Sequence, residues 1–588
     1  MLGDVGFLLG RVGYDYLRLP GQQSVLLSAP TRSGKGVGIV VPNLLAWRGS
    51  VVVLDIKGEN HELTAGYRAR YGQRVFKWAP FASSTSSTSP SSPEPTNSQT
   101  EVGQGTAADS TAASEESKLL NGPTVDLVGS PAGNPAETTG HDAHCFPRTH
   151  RWNPLSYIRR DPHHAIADTL AIAQMLYPST GNASSNEAFF ADQAKNLFLG
   201  LVLLMLATPD RPCTLGELLR QASGQGRSLH EHLRAVITAR QQAGNPLPSS
   251  CVDALNRFLS TSENTSSSIL ATLSAPLTLF ADPLVDAATS GDDFDLRALR
   301  RERISVYLVI PANRLAESAV LLNLFFAQTI HQNTDELPQH NPALKHSCLL
   351  LLDEAAAVGR ITVLSKAIGF LAGYGLRVLT VVQSMSQLES VYGRDDARTF
   401  ATNHAVQILF APREQRDANE YSEMLGTFTQ RERSNGRSVS SGARGSSTSN
   451  SVNESSQRRP LLLPQEFKEL GADKEVIVLE NHKPILANKI RYHDDPVFIE
   501  RLLPAPLAPA INLTRHIAVV ENRRRPVKPG EAVTAEDVAH DFSHLIALGP
   551  DAREEDVEVF VTQTFETLER DMRQAAARDG QPATGGAA

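Results

Sequence analysis

The residues that could do chemistry fall in three widely separated places. The stretch SAPTRSGKGVG, residues 28–38, has Gly34 and Lys35 in the register of a phosphate-binding loop. In such a loop backbone N–H groups at a helix amino terminus converge on phosphate oxygens, and the lysine bridges the terminal phosphates. The usual pattern has Gly five positions before Gly34 and Ser or Thr directly after Lys35, where this chain has Ala29 and Gly36. The missing hydroxyl removes the usual magnesium ligand. Taken alone, a Gly-rich turn with a surface lysine explains the stretch as well as a nucleotide site does.

Two distant places shift that balance. CLLLLDE puts Asp353 and Glu354 at the end of an apolar run of buried-strand type. There the first carboxylate could hold magnesium through water and the second could polarise an attacking water. RVLTVVQ puts Gln383 at another strand terminus, where its amide could sense a terminal phosphate or position water. Each has a plain alternative: acids emerging into solvent, or a capping glutamine. The acidic pair together with Gly34 and Lys35 is much more specific than either alone. Arg32 could contact phosphate or be solvated. Arg360 and Arg377 are candidates for a charge-stabilising arginine reaching across a subunit boundary, with an ordinary surface or salt-bridged arginine the simpler reading of each.

Such residues meet only if strands bring them to one edge. A strand over Ser24–Ser28 is followed by the Gly-rich loop, an apolar run to Trp47, and a second strand VVVLD at 51–55. Strand signals return at 304–310, 348–353, 377–383 and 405–411, each bounded by helical or turn-rich text. Continuous apolar strands alternating with helices predict an α/β fold with a mostly parallel sheet covered on both faces. Between Trp152 and Asp295 the periodicity is helical, with Gly, Pro and Asn breaks, and predicts an all-helical insert. Residues 82–143 are rich in Ser, Thr, Pro and Gly and are expected to be a disordered insertion. Ser434–Ser456 reads as a polar loop or linker, and the segment after Leu502 as a partner-facing appendage.

Composition narrows the class further. The 588 residues are 41% hydrophobic and 20% charged, with a formal net charge of -8. This is ordinary globular composition with room for several domains, and it excludes a uniformly basic surface while allowing a locally basic cleft. Four cysteines without CxxC spacing suggest neither a disulfide framework nor a zinc site, so a reducing compartment is expected. The longest apolar run, Leu197–Ala207, is roughly half the ~20 residues needed to cross a bilayer, and no membrane span is expected in the chain as given.

The motifs APTRSGKGVGIVVPNLLAW, VVVLDIKGENHELTAGYR, WNPLSYI, YLVIP, LLLLDEAAAVG, VVQSMSQLESVYG and RPLLLPQEFKEL follow one another in a single order. Together they resemble the TraG/TraD-type coupling proteins of type IV secretion and conjugation, over about residues 7–81 and 146–500. The resemblance implies a RecA-like P-loop motor with an all-helical domain inserted in its nucleotide-binding domain. It implies ATP binding by Thr31, Arg32, Ser33, Gly34, Lys35, Gly36 and Val37, magnesium at Asp353, and catalysis by Lys35, Glu354 and Gln383. GKG commonly stands in this family where GK[ST] is usual, which leaves the residue that replaces the hydroxyl as magnesium ligand unassigned; Thr31, Ser33 or Asp55 could contribute. The DIKGE segment, Asp55–Glu59, is expected either beside the nucleotide or as a plain strand-to-helix turn.

On this reading the domains run 1–81 (nucleotide binding), 82–145 (low complexity), 146–295 (helical insert), 296–502 (nucleotide binding resumed) and 503–588 (tail). The implied function is an ATP-driven, homohexameric coupling protein. It would recruit DNA-relaxase complexes or protein effectors and deliver them to the type IV secretion channel at the cytoplasmic face of the bacterial inner membrane. Members usually begin with transmembrane helices, whereas here the loop comes close to Met1, so a missing or absent anchor is expected. The alternatives are a non-hydrolysing recruitment adaptor and a soluble DNA-translocating ATPase outside secretion.

Overall fold

The computed structural model describes residues 6–82, 146–178, 184–209, 211–442, 445–524 and 554–578. The expected low-complexity insertion at 82–145 lies almost wholly outside them, as does much of the tail. Among the described residues there are thirteen strands: β1 Phe7–Val12, β2 Asp15–Leu19, β3 Val25–Ser28, β4 Ser50–Asp55, β5 Arg74–Trp78, β6 Ile304–Val309, β7 Cys348–Leu352, β8 Leu376–Val382, β9 Val406–Leu409, β10 Thr427–Gly442, β11 Gly445–Pro460, β12 Lys474–Leu479 and β13 Ile485–Asn488. Eleven of them form one sheet in the order β2-β1-β13-β12-β9-β3-β8-β7-β4-β6-β5. From β9 to β5 every neighbouring pair is parallel. Beyond β9 the pairs are antiparallel, an extension the apolar runs do not announce.

The central strands SVVVLD, CLLLL and LRVLTVV are buried at every position, as strands covered on both faces must be. Alternate residues serve opposite layers. Val51, Val53, Leu349, Leu351, Leu379 and Val381 pack against Ile39, Val40 and Leu44 of the first helical segment. Val52, Leu54, Leu350, Leu352, Val378 and Val382 face the other core, with Phe325 and Phe326 of helix Leu315–Gln332. Trp78, Trp152 and Phe325 meet there, with ring centroids 4.7–5.4 Å apart.

Between β5 and β6 the described residues include seven α-helices, from Ala165–Leu176 to Pro283–Ala288. Their starts are fixed by side-chain caps: Ser184 and Ser228 form reciprocal capping boxes with Glu187 and Glu231, and Thr214, Ser262 and Asp282 cap three more. Helix Ser185–Leu206 is long and apolar enough by composition to cross a bilayer, with mean hydropathy 1.4 in its most apolar stretch. Its Leu197, Phe198, Leu201 and Val202 lie buried in the protein core, the place of a central helix.

Two expectations are corrected. The polar stretch Ser434–Ser456 is not a loop. It is most of a two-stranded antiparallel ribbon, β10–β11, paired from Thr427↔Pro460 to Gly442↔Gly445. Its described side chains are exposed over most of its length, so no apolar alternation marks it, and cross-strand hydrogen bonding carries the element. The appendage expected from 503 begins inside packed chain: Ala508 and Ile511 are buried, and the Pro509 carbonyl accepts from Thr149 N. The amphipathic end forms a helix, Glu554–Arg578.

Candidate active site

Strand register brings the predicted residues to one edge. Ser28 is level with Val382 and Leu409, and Leu352 is level with Leu54 and Thr380. The residues that follow β3, β7 and β8, and the last residue of β4, therefore emerge together at the carboxyl ends of parallel strands, where α/β sheets bind ligands.

The loop after β3 turns through Arg32 at φ +61° and Gly34 at φ +85°, then enters a π-helical turn, Gly36–Val40, and helix α1, Val41–Ala46. Left-handed backbone at alternate residues turns successive amides toward one side, the geometry of an anion nest. Lys35, half-buried, donates from Nζ to Glu354 Oε1 at 2.5 Å and lies 3.6 Å from Asp353 Oδ1. Glu354 holds a left-handed backbone, φ +59°, that non-glycine residues adopt at a cost, and this turn presents its carboxylate to Lys35. Thr31 Oγ1 donates to Gln383 Oε1 at 2.9 Å. So Lys35, Asp353 and Glu354 are in one cluster, and Thr31, on the same loop as Lys35, pairs with Gln383 at the end of β8.

The remaining candidates divide. Ser33 Oγ is turned back onto the Pro30 carbonyl at 2.6 Å. Asp55 accepts from Gly58 N and His61 N at 2.8 and 2.9 Å, so its side chain organises the turn into helix α2, Glu59–Arg70. Burial pushes its carboxyl up to about 6 despite those bonds. Asp353 is different: burial raises it, Lys35 opposes that shift, and its buried Oδ1 has no hydrogen-bond partner. Among the described residues no three His, Cys, Asp or Glu side chains gather to hold a metal. Magnesium is commonly held by one or two carboxylates plus phosphates, which an orphaned Asp353 oxygen beside the loop fits.

Neither arginine candidate joins the cluster. Arg360 pairs with Asp396 at 2.5 Å on the surface. Arg377 sits near the start of β8, at the opposite edge, donating to the Gln23 carbonyl and stacked on Phe7 and Trp47. Val37 and Gly36 open the helical segment, and a Cβ built on Gly36 meets nothing within 4 Å. The absent hydroxyl is thus not imposed by crowding.

Three contributors were not anticipated. Asn60, from the DIKGE segment's helix, donates to Asp353 Oδ2 at 3.4 Å. Arg413 donates to the Thr31 carbonyl at 2.8 Å and Lys489 to the Ser33 carbonyl at 3.0 Å, the latter lying over the Phe410 ring. Only Asn60 carried any signal, its place one residue after DIKGE.

A model of the type IV secretory system conjugative DNA transfer family matches residues 6–90 and 143–512. Protein VirD4 of Agrobacterium fabrum (strain C58) is 29% identical over 491 residues, 82% of this chain and 60% of that protein. Conjugal transfer protein TraG of Escherichia coli is 26% identical over 521 residues, 84% of this chain and 71% of its own. The chain thus spans about 60% of the length of the VirD4 relative. Among solved structures, plasmid coupling protein TrwB in complex with ADP and Mg2+ is similar with a TM-score of 0.49 at 14% identity, over 81% of this chain and 87% of that one.

Proposed function

The chain belongs to the type IV secretory system conjugative DNA transfer family, and on that premise we propose that it is the ATP-hydrolysing motor of a coupling protein. What supports the reading most is the contact of Lys35 with Asp353 and Glu354 at the shared edge of three parallel strands. In this reading the amides of residues 31–37 and the Lys35 ammonium bind the nucleotide phosphates. Asp353, held by Asn60, supplies a carboxylate to magnesium, with Thr31 and Ser33 turned elsewhere. Bound magnesium would neutralise charge developing on the transferred phosphoryl group. Glu354 orients and polarises the attacking water, and Gln383, tied to Thr31, senses the terminal phosphate.

The finer assignment follows from the same premise. The substrates are relaxase-bound DNA, protein effectors or both, passed to a secretion channel at the cytoplasmic face of the inner membrane by a homohexameric ring. The residues 146–295 form the substrate-facing insert of the nucleotide-binding domain. A second reading, a recruitment adaptor that binds nucleotide without turnover, is favoured by one observation, the missing hydroxyl at Gly36. ATP turnover by the chain assembled with DNA, compared with Lys35→Ala, separates the two. The motor reading expects turnover to fall at least a hundredfold in the variant; equal rates would sink it.

A further inference from the structure

Thr31 is held at two of its polar groups. Its hydroxyl donates to Gln383 Oε1 at 2.9 Å, and its carbonyl accepts from the Arg413 guanidinium at 2.8 Å. The left-handed backbone at Arg32 and Gly34 turns the loop's amides to one side. Cations from outside the loop take the carbonyls of the residues just before them, Arg413 that of Thr31 and Lys489 that of Ser33. With Oε1 engaged by Thr31, what Gln383 has to offer an anion is its Nε2 donor pair, the polarity a phosphate oxygen requires.

Arg413 stands in the turn between β9 and helix Gln415–Leu425, and that turn is fastened on two sides. On the strand side Phe410 N donates to the Ser28 carbonyl at 3.0 Å, and the buried Tyr421 hydroxyl meets Ser28 Oγ at 2.5 Å. On the other side lies helix Met385–Tyr392, which begins just after Gln383. Its Ser386 Oγ donates to Glu414 at 2.8 Å and its Glu389 accepts from Arg416 at 2.8 Å. The Met385 backbone N–H donates to the buried Asp417 carboxylate.

Gln383, Thr31, Arg413, the turn and the helix after Gln383 thus form a closed circuit of contacts. No link in such a circuit moves alone, so the Gln383 amide is set relative to Lys35 before a nucleotide arrives.

We propose that Arg413 is a positioning residue of the nucleotide site, acting through Thr31 to present the Gln383 amide donors to the terminal phosphate. The inference rests on the reading of that site as an ATPase. Arginine suits the task, because its planar guanidinium keeps a fixed approach to the carbonyl, and an exposed place lets it do so without burying a charge.

The test uses the full chain and follows ATP turnover with DNA present, beside hydrogen–deuterium exchange of the nucleotide-free protein. Arg413 is exposed, so Arg413→Ala is expected to keep the melting temperature within about 2 °C. Loss of one charge-assisted hydrogen bond is expected to lower kcat about fivefold, with KM for ATP changed by less than about twofold. Arg413→Lys keeps a donor and recovers most of the loss. Thr31→Val breaks the same relay one link later, so adding Arg413→Ala to it lowers kcat no further. In Arg413→Ala the backbone amides of 31–35 and 383–387 exchange faster, while those of β4 stay protected. Additive losses in the double variant overturn the relay, as does an unchanged kcat or a rise in KM with kcat intact. If Lys35→Ala and the unmodified chain turn ATP over equally, the motor reading fails and exchange alone decides. Faster exchange at 383–387 then keeps Arg413 as the clamp, and unchanged exchange overturns it.

Discussion

Lys489 and Ser33 lie 456 positions apart in sequence, yet the Lys489 ammonium donates to the Ser33 carbonyl at 3.0 Å and rests 3.6 Å from the centre of the Phe410 ring. Ser33 immediately precedes Gly34 and Lys35, so a residue from the antiparallel end of the sheet holds the phosphate loop from behind. Replacing Lys489 by Met keeps most of the apolar stem and removes the donor. Hydrogen bonds from charged groups contribute about 1.5–3 kcal/mol, less here because Lys489 is partly solvated. Nucleotide affinity measured by titration calorimetry is expected to fall about three- to tenfold, with turnover at saturation little changed. An unchanged affinity would show that the loop keeps its shape unaided.

Gly36→Ser restores the hydroxyl that ordinary phosphate loops carry. Space around Gly36 is open, and Ser is a better helix former than Gly by about 0.5 kcal/mol. The variant should therefore melt at or slightly above the temperature of the unmodified chain. Its magnesium concentration for half-maximal ATP turnover should fall severalfold, because the new hydroxyl would add a ligand to the Asp353 carboxylate proposed above to hold the ion. A magnesium titration that superposes on the original would place position 36 away from the metal.

Glu475 lies in β12 with both carboxylate oxygens buried and lacking hydrogen bonds, and burial pushes it up to about 8 against the pull of Lys489. Its folded value exceeds its ordinary one near 4.5, so the folded state holds a proton that the unfolded state releases. Between about pH 4.5 and 8 this residue's contribution to stability must decline as pH rises. Glu475→Gln removes that dependence. Denaturation of the two proteins at pH 5, 6.5 and 8 should show the Gln variant gaining on the original at each step upward. Parallel pH curves would mean that Glu475 is ionised in the fold.

The β10–β11 ribbon contributes almost nothing to the core, since its described side chains are exposed over most of its length. Excising Gln430–Gln457 and joining Thr429 to Arg458 through Asn-Gly, a dipeptide suited to two-residue hairpins, should leave the melting temperature within about 2 °C. Calorimetry decides this, and a loss of 5 °C or more would reveal a structural role for the ribbon.

Legibility in the sequence followed burial. Six of the parallel strands could be read because they are continuous apolar runs, and Lys35, Asp353, Glu354 and Gln383 because each follows such a strand; the parallel edge strand β5, RVFKW, could not be, because Arg74 and Lys77 interrupt it. The antiparallel strands β1, β2, β12 and β13 carry mixed exposure and short runs, with a register shift between Leu8 and Gly10, and they blurred into loop. Asn60, Arg413 and Lys489 could not be read because their roles depend on which carbonyl or carboxylate a distant chain segment brings within reach. Arg377 takes the simpler of its two readings, an arginine engaged within the fold: it lies near the start of β8, where it donates to the Gln23 carbonyl and stacks on Phe7 and Trp47.

The order of strands also constrains how the molecule comes into being. β3 has β8 and β9 as its neighbours, and β4 has β6 and β7, so the two earliest parallel strands never touch. Everything between them is supplied by segments made hundreds of residues later. A ribosome that has released the phosphate loop has therefore released a segment whose strand β3 has no pairing partner until β8 and β9, ending at residue 409, have emerged. Lys35 meets Glu354 only late in synthesis, so a chain cut short before β7 contains the loop and no site.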